Sequence, residues 1–184
     1  MKKVVILLCM VAMIATQAVG QEKFMVSVGG NMLFPADGGY KGVYGDSLFY
    51  PEFKLAYKVV KDFYLWVGYG LLSASGETVE LKLAAKSSQH FISFGGGYNG
   101  TLSKKLEYLV ELGAFYASYK EEAMQEEVSD SAIGFRVDGS LIYRIGKSLF
   151  AGLSLGYLTA SDDIEGVSIK LGGFKGGLLL GLKF

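Results

Sequence analysis

The sharpest pattern in the chain is the period-two alternation of residues 174–184. The even-numbered positions are apolar apart from one glycine, and the odd-numbered positions are small or charged apart from Leu179. Successive side chains of a strand point to opposite faces, so one face of this segment is apolar and the other is polar or empty. The pattern predicts the closing strand of a β-barrel whose apolar face meets lipid.

The same alternation recurs in seven earlier stretches. They are Phe24–Phe34, Phe49–Val59, Phe63–Leu71, His90–Asn99, Leu106–Tyr119, Ala132–Ile145 and Leu149–Leu158. Together with residues 174–184 they predict an all-β chain of eight antiparallel strands. Residues 73–89 stay open at this point: Val79, Leu81 and Leu83 alternate with polar or small residues, which allows the strand pairing to continue there.

The predicted connections alternate in length. Those near residues 61, 102 and 147 are short, whereas those near residues 40, 80, 125 and 163 are long. A transmembrane β-barrel has short periplasmic turns and longer extracellular loops. The pattern therefore predicts an up-and-down barrel with both termini on the periplasmic side, as an even number of strands requires.

The distribution of charge decides which face is outside. The apolar face of the eight strands carries no Asp, Glu, Lys or Arg. The charges fall on the other face: Glu52, Lys54, Lys58, Glu107, Glu111, Arg136, Asp138, Arg144, Lys175 and Lys183. A soluble, lipocalin-like barrel would need its large apolar residues inside, around a ligand cavity. An interior of charge and glycine favours the inverted arrangement of a membrane barrel.

Aromatic residues of the apolar face lie near the two ends of the strands. We expect one girdle from Tyr57, Phe63, Tyr98, Tyr108, Tyr143 and Phe184, and a second from Phe49, Tyr69, Tyr116 and Tyr157. Amphipathic rings favour the two boundaries between lipid and water, so two girdles agree with a spanning barrel.

Residues 1–20 have the pattern of a secretory signal peptide. Lys2 and Lys3 precede an uncharged apolar run, and Ala18, Val19 and Gly20 supply a cleavage site. The barrel domain is then 21–184. Removal of the signal removes Cys9, the single cysteine, and leaves a net charge of about −2 (16 basic against 18 acidic residues). That charge argues against nucleic acid as a partner.

On these residues the chain resembles the small outer-membrane barrels of the OmpA and OmpX class. The resemblance rests on the eight-strand architecture and on the final strand, where Leu180, Leu182 and Phe184 resemble the signal read by the barrel-assembly machinery. It implies an outer-membrane location. This chain has Leu179 where that signal usually has a glycine.

The strongest candidate site is the inner charge set at middle depth: Glu52, Lys54, Glu111, Arg136, Asp138 and Lys175. Unpaired charges in a narrow barrel would be costly, so we expect the three acids and three bases to pair into a plug. The alternative is a narrow, charge-lined, porin-like channel, as the OmpA resemblance implies. The interior of an eight-stranded barrel is just filled by side chains, which favours the plug. Six aromatic side chains also have inward parity and are expected to add to the filling: Tyr50, Tyr64, Trp66, Phe91, Phe115 and Phe150.

Two weaker candidates concern chemistry outside the lumen. His90, with Ser87 and Ser88 close by, resembles outer-membrane lipid hydrolases and acyltransferases, but its parity predicts a boundary histidine. The acidic segments 120–130 and 162–165 are expected to be solvated loops, the alternatives being partner recognition or divalent-cation binding beside lipopolysaccharide phosphates. Their spacing matches no calcium-loop pattern.

The function expected from the sequence is non-enzymatic. We expect a monomeric outer-membrane barrel, without cofactor or metal, that has a structural or surface-interaction role toward lipopolysaccharide, membrane lipid or an unknown extracellular partner. A narrow channel, a lipid-modifying enzyme and a periplasmic lipocalin-like binder remain as alternatives.

Overall fold

The structure, a computed structural model, describes residues 23–78, 82–123, 126–164 and 167–184. The predicted signal peptide and Cys9 lie outside these residues. The elements are β1 (Phe24–Pro35), α1 (Gly38–Tyr44), β2 (Leu48–Val60), β3 (Phe63–Glu77), β4 (Ala84–Thr101), β5 (Leu106–Ala123), β6 (Glu126–Arg144), β7 (Leu149–Ile164) and β8 (Val167–Lys183).

The eight strands form one closed barrel in which every strand pairs with its neighbours in sequence. Closure is made by β1, which pairs antiparallel with both β2 and β8. At Val28, for example, the partners are Phe53 on β2 and Leu180 on β8. The predicted all-β, eight-stranded, up-and-down architecture is confirmed.

The barrel has two unlike ends. The terminal end carries the first and last described residues and the three short turns, at residues 61–62, 102–105 and 145–148. The helix end carries α1, the end of β3, the start of β4, and the corresponding ends of the β5–β6 and β7–β8 pairs. These two names are used below for the two ends.

The long polar loops predicted at the helix end are wrong in detail, because much of that sequence lies in paired strands. Residues 120–123 and 126–130 continue β5 and β6, with Lys120 opposite Ser129 and Glu122 opposite Glu127, and residues 124–125 lie outside the described residues. Asp162 and Asp163 belong to β7. The open segment 73–89 is also largely strand, as β3 and β4 pair up to Glu77 opposite Ala84. Beyond the lipid both faces of a hairpin are wet, so the apolar alternation that marks a strand disappears there although the backbone ladder continues.

The loop near residue 40 contains a short helix that the sequence did not predict. Asp37 caps α1, since its Oδ1 accepts a hydrogen bond from the Tyr40 backbone N at 2.9 Å. The helix docks on β3 at Gly76, where a Cβ would lie only 1.9 Å from the Val43 carbonyl oxygen. Three of its seven residues are glycine, which obscures a helix at the level of sequence. No helix in the described chain is long and apolar enough to cross a membrane.

The outer surface of the barrel is apolar, as the alternation predicted. Ile133 and Leu155 each expose 73% of their surface, and large exposed apolar side chains occur on all eight strands. An exterior of this kind aggregates in water and suits lipid. At the level of this apolar surface the charged side chains, such as Glu52, Arg136 and Lys175, are buried in the lumen, which argues against a lipocalin-like binder with an apolar cavity.

Side chains fill the interior in layers. An apolar cluster near the helix end includes Leu33, Tyr50, Phe91, Phe115 and Leu158, all at most 2% exposed. A second cluster near the terminal end is built around Tyr64, Trp66, Leu109, Ile142 and Phe150. The interior toward the helix end is thus apolar, and Leu33, Leu158 and other aliphatic side chains join the expected aromatic rings there. Buried charged side chains lie between the two clusters and at the terminal end.

Candidate functional site

The central feature of the lumen is a buried group of four charges from three strands. Arg136 on β6 donates from Nη1 to Glu52 on β2, and from Nε to Asp138 Oδ2 at 2.7 Å. Lys175 on β8 lies 2.7 Å from Glu52 Oε2 and 2.9 Å from Asp138 Oδ1. Each base pairs with both acids, so the four residues form a closed ring, called the central ring below. Every side chain in it is at most 6% exposed.

A second ion pair extends the central ring toward the terminal end. Lys54 of β2 donates to Glu111 of β5, and the Tyr64 hydroxyl donates to Glu111 Oε1 at 3.0 Å. These contacts satisfy both carboxylate oxygens of Glu111, which offsets the cost of burying its charge. All six residues of the predicted charge set are therefore paired inside the barrel.

Trp66 ties the second pair to the central ring. Its ring lies 5.2 Å from Lys54 Nζ and 4.9 Å from the guanidinium carbon of Arg136. Its Nε1 donates to the Gly96 carbonyl oxygen at 3.1 Å, which fixes the plane of the ring. Two cations on one indole leave little open space at this level of the lumen.

A third ionic cluster closes the terminal end, and the sequence did not single it out. Lys183 donates to Glu107 and, at 2.7 Å, to Asn99 Oδ1, while Arg144 also pairs with Glu107. Asn99 Nδ2 donates to Glu107 Oε2 at 2.8 Å. The inward parity of Glu107, Arg144 and Lys183 was visible in the sequence, but their shared partner depends on the strand register.

Aromatic side chains seal the lumen on the other side of the central ring. Tyr50, Phe91 and Phe115 are at most 1% exposed, with ring centroids 5.4 Å and 5.7 Å apart along the series. The Tyr50 hydroxyl occupies the space that a side chain at position 70 would take, where the residue is glycine and a Cβ would lie 2.1 Å away. The sequence predicted these three rings to point inward, and the structure places them there.

Helix α1 caps the lumen at the helix end. The Tyr40 hydroxyl donates to Ser87 Oγ at 2.9 Å, and the Tyr44 hydroxyl donates to Glu121. Burial raises the pKa of Tyr40 from its ordinary value of 10 to about 12. Burial, together with the hydrogen bond to Glu121, also raises the pKa of Tyr44. Both hydroxyls are thus held protonated as donors at neutral pH.

The proposed catalytic pair of a lipid-modifying enzyme is not assembled. His90 lies on the outer surface, where its Nδ1 is 2.7 Å from the Tyr69 hydroxyl. Ser87 points into the lumen and accepts hydrogen bonds from Tyr40 and Gln89, so it and His90 lie on opposite faces of β4. Ser88 shares the outer face with His90, but no acid of the described chain hydrogen-bonds that histidine. Within the described residues no group of three His, Cys, Asp or Glu side chains could hold a metal ion.

The terminal strand presents apolar side chains on the outside of the barrel. Leu180 and Leu182 face outward, 49% and 42% exposed. The backbone of Phe184 exchanges two hydrogen bonds with Phe24, at 2.8 and 3.0 Å, and the two rings stack with centroids 6.1 Å apart. The last residue therefore closes the seam between β8 and β1.

Comparisons with known proteins agree at the level of the fold. No protein-family model matches the chain, and no curated protein matches its sequence. Among solved structures, the N-terminal β-barrel domain of Pseudomonas aeruginosa OprF is similar with 18% identity and a TM-score of 0.60. The match covers 90% of this chain and 99% of the solved chain.

Two further solved structures give the same picture. Pseudomonas aeruginosa OprG is 14% identical with a TM-score of 0.64, covering 89% of this chain and 96% of its own. Ail, the attachment invasion locus protein of Yersinia pestis, is 16% identical with a TM-score of 0.57, covering 89% and 100%. Ail has also been solved in complex with the heparin analogue sucrose octasulfate. This chain has the fold of the small eight-stranded outer-membrane barrels, in keeping with the OmpA and OmpX resemblance.

Proposed function

We propose that this protein is a non-enzymatic, integral barrel of the outer membrane with a structural and surface-interaction role. The observation that carries the proposal is the filled lumen: the terminal cluster, the central ring, the aromatic layer and α1 close it in succession. A barrel closed in this way contributes a rigid wall and a set of projecting hairpins. Its termini face the periplasm in this proposal, and the hairpins face the outside.

The hairpins at the helix end are the parts that meet a partner. Beyond Tyr116, the last lipid-facing aromatic of β5, the paired strand continues through residues 117–123, about 20 Å of extended chain. Lys120 of β5 joins the two strands of this hairpin through Glu127 of β6 at 2.9 Å, and it also pairs with Glu122 of its own strand at 3.0 Å. Paired strands hold a surface in one shape better than an irregular loop, which lowers the entropy cost of recognition.

Charge at the helix end indicates the class of partner. Described acids there outnumber the described bases. The acids with described side chains are Asp37, Asp46, Glu77, Glu121, Glu122, Glu127, Asp130 and Asp162, and the bases are Lys41, Lys82, Lys86, Lys120 and Lys170. A highly sulfated ligand such as the sucrose octasulfate solved with Ail would be repelled by this surface. We propose a neutral or cationic partner, and contact with lipopolysaccharide through its sugars and not its phosphates.

Single-cysteine labelling tests the proposed placement, because the only cysteine falls within the predicted signal peptide. Glu122→Cys at the helix end and Lys104→Cys at the terminal end replace exposed side chains. A membrane-impermeant maleimide should label Glu122→Cys on intact cells, and Lys104→Cys only after detergent is added. Labelling of Lys104→Cys alone on intact cells would invert the proposed orientation, and recovery of both variants in the soluble fraction would reject membrane insertion.

The channel is the second candidate, and the central ring is the observation that favours it. Each residue of the central ring has two oppositely charged partners. An exchange of partners within the central ring would open a path for ions through the lumen. Against this, Ser93 and Tyr64 add hydrogen bonds to Arg136 and Glu111, and α1 covers the entrance. The proposal is therefore a barrel that does not conduct in its resting state.

A further inference from the structure

The three turns at the terminal end share an unusual composition. Each places a large exposed apolar side chain beside lysine: Val60 precedes Lys61, Leu102 precedes Lys104 and Lys105, and Ile145 precedes Lys147. The three apolar residues expose 63%, 59% and 55% of their surface. Turns that project into water are normally polar, so these apolar tips indicate a layer that is neither water nor hydrocarbon.

The lysines of these turns, Lys61, Lys104, Lys105 and Lys147, are called the basic rim below. All four are exposed. Asp62 is the single acid in the three turns, and its Oδ2 is 3.9 Å from Lys61 Nζ, at the limit of an ion pair. No ion pair involves the other three lysines within the described residues. The basic rim therefore presents uncompensated positive charge.

The aromatic girdle sets the depth of the basic rim. Phe63, Tyr98 and Tyr108 form a continuous outward row near the terminal end, with ring centroids 5.2 and 6.0 Å apart. Lys105 Nζ lies 5.8 Å from the ring of Tyr143, another member of that girdle. Tyrosine rings favour the boundary between lipid and water, so lysines one turn beyond them lie at the level of the headgroups.

We propose that the basic rim binds the phosphate groups of anionic phospholipids in the leaflet on the side of the chain termini. The apolar tips enter the headgroup layer, and the lysines reach the phosphates from the same turns. The helix end carries more acids than bases, whereas the basic rim lies at the terminal end. Anionic lipid is therefore attracted to the terminal end only. This inference rests on the barrel spanning a membrane, but not on its surface partner.

Spin-labelled lipids measure such a preference directly. The protein is reconstituted in phosphatidylcholine with a trace of spin-labelled phosphatidylglycerol or spin-labelled phosphatidylcholine, and the motionally restricted fraction gives a relative association constant. Attraction of one lysine to an anionic lipid predicts a preference of about fivefold at low salt. In 0.5 M NaCl the preference should fall toward one, because salt screens exposed charges.

Two matched variants locate the effect. K61Q/K104Q/K105Q/K147Q removes the basic rim, and K41Q/K82Q/K86Q/K170Q removes four lysines from the helix end. The first should lose the preference and the second should keep it. No preference in the wild-type protein, or an equal loss in both variants, would overturn the proposal.

Folding is checked separately. Each protein should change its mobility in SDS gels on boiling, as a detergent-resistant barrel does. A wild-type protein that shows no such shift would reject the membrane barrel itself, whereas a shift without lipid preference would reject only the role of the basic rim. If the fourfold rim variant does not fold, K104Q/K105Q and the salt dependence of the wild type give the same test, and a salt-independent preference would overturn the proposal.

Discussion

Lys175 on β8 and Glu52 on β2 meet across β1 inside the barrel, with 2.7 Å between Nζ and Oε2 and both side chains almost fully buried. The strands that carry them do not pair with each other, so the contact fixes the curvature of the wall as well as the charge balance of the lumen. Glu52 also accepts from Arg136, so it is shared by two buried bases, as Asp138 is. Loss of its charge leaves two buried cations with one acid between them.

Replacement Glu52→Gln should therefore destabilise the barrel strongly. It keeps the shape of the side chain but leaves Arg136 and Lys175 with Asp138 as their remaining acid. Breaking a buried pair in this way costs about 3–5 kcal/mol. Urea unfolding of the protein in lipid vesicles measures the loss.

The control is Glu127→Gln at the helix end. Glu127 pairs with Lys120, but both side chains are about half exposed, so the change should cost at most about 1 kcal/mol. Equal losses for the two variants would show that the central ring adds no more to stability than a surface pair.

Neighbouring glycines on β4 should respond oppositely to alanine. A Cβ on Gly95 points into the lumen and would lie 2.1 Å from the Leu112 carbonyl oxygen and 2.8 Å from the Trp66 ring. A Cβ on Gly96 points to lipid and has nothing closer than 3.9 Å. Gly95→Ala should cost about 1–3 kcal/mol or more, and Gly96→Ala should be neutral or slightly stabilising. Unfolding curves that rank them in reverse would mean that the two faces of β4 are wrongly assigned.

The cap formed by α1 should loosen at high pH. The pKa of Tyr40 is raised from 10 to about 12 by burial, so the docked helix favours the protonated hydroxyl. The stabilisation is complete below pH 10 and is lost as the pH rises through about 12, because the undocked tyrosine releases its proton first.

A spin label at Gly38→Cys reports this loosening, since position 38 has open space around it. Its mobility should rise between pH 10 and 12, while a label at the lipid-facing Gly139→Cys should stay unchanged. A label on α1 that is already mobile at pH 7, or still immobile at pH 12, would contradict the docking described here.

The last residue should matter more for assembly than for stability. Phe184→Ala and Phe24→Ala each remove one ring of the same stacked pair, so purified proteins should refold in detergent to similar extents. If Phe184 is also read by the assembly machinery, Phe184→Ala alone should lower the folded amount in cells. Equal amounts of heat-modifiable protein from both variants would limit Phe184 to its packing role.

The sequence predicted the part of the fold that lipid imposes. Between the two girdles the face toward lipid must be apolar, and the face toward the lumen need not be. The alternation of the sequence therefore assigns residues such as Phe135 and Arg136 to the correct face. Inward aromatics such as Tyr50 and Phe115 were assigned in the same way. The sequence predicted that Arg136 would pair with acids inside the barrel. It could not predict that these acids are Glu52 and Asp138, because the partners depend on the register of distant strands.

Structural features outside the lipid were harder to predict from the sequence. The paired strands around Lys120 and Ser129 carry polar residues on both faces. They lack the alternation that marks a strand, so the sequence predicted a loop there. Helix α1 is rich in glycine and depends on docking over Gly76, which no local pattern reveals. The cluster of Lys183 with Glu107 and Arg144 was not predicted although its members have inward parity. Their positions near the strand ends suggested contact with water, whereas Glu107 and Lys183 are buried.

Single-channel recording in planar lipid bilayers tests the central claim, a lumen that is closed at rest. The wild-type protein, inserted and verified by its heat-dependent gel mobility, should show no stable conductance steps at neutral pH. Because Glu52→Gln opens the central ring while α1 still covers the entrance, any events in that variant should be brief. Long-lived, reproducible steps from the wild-type protein would contradict a filled interior and establish the channel in its place.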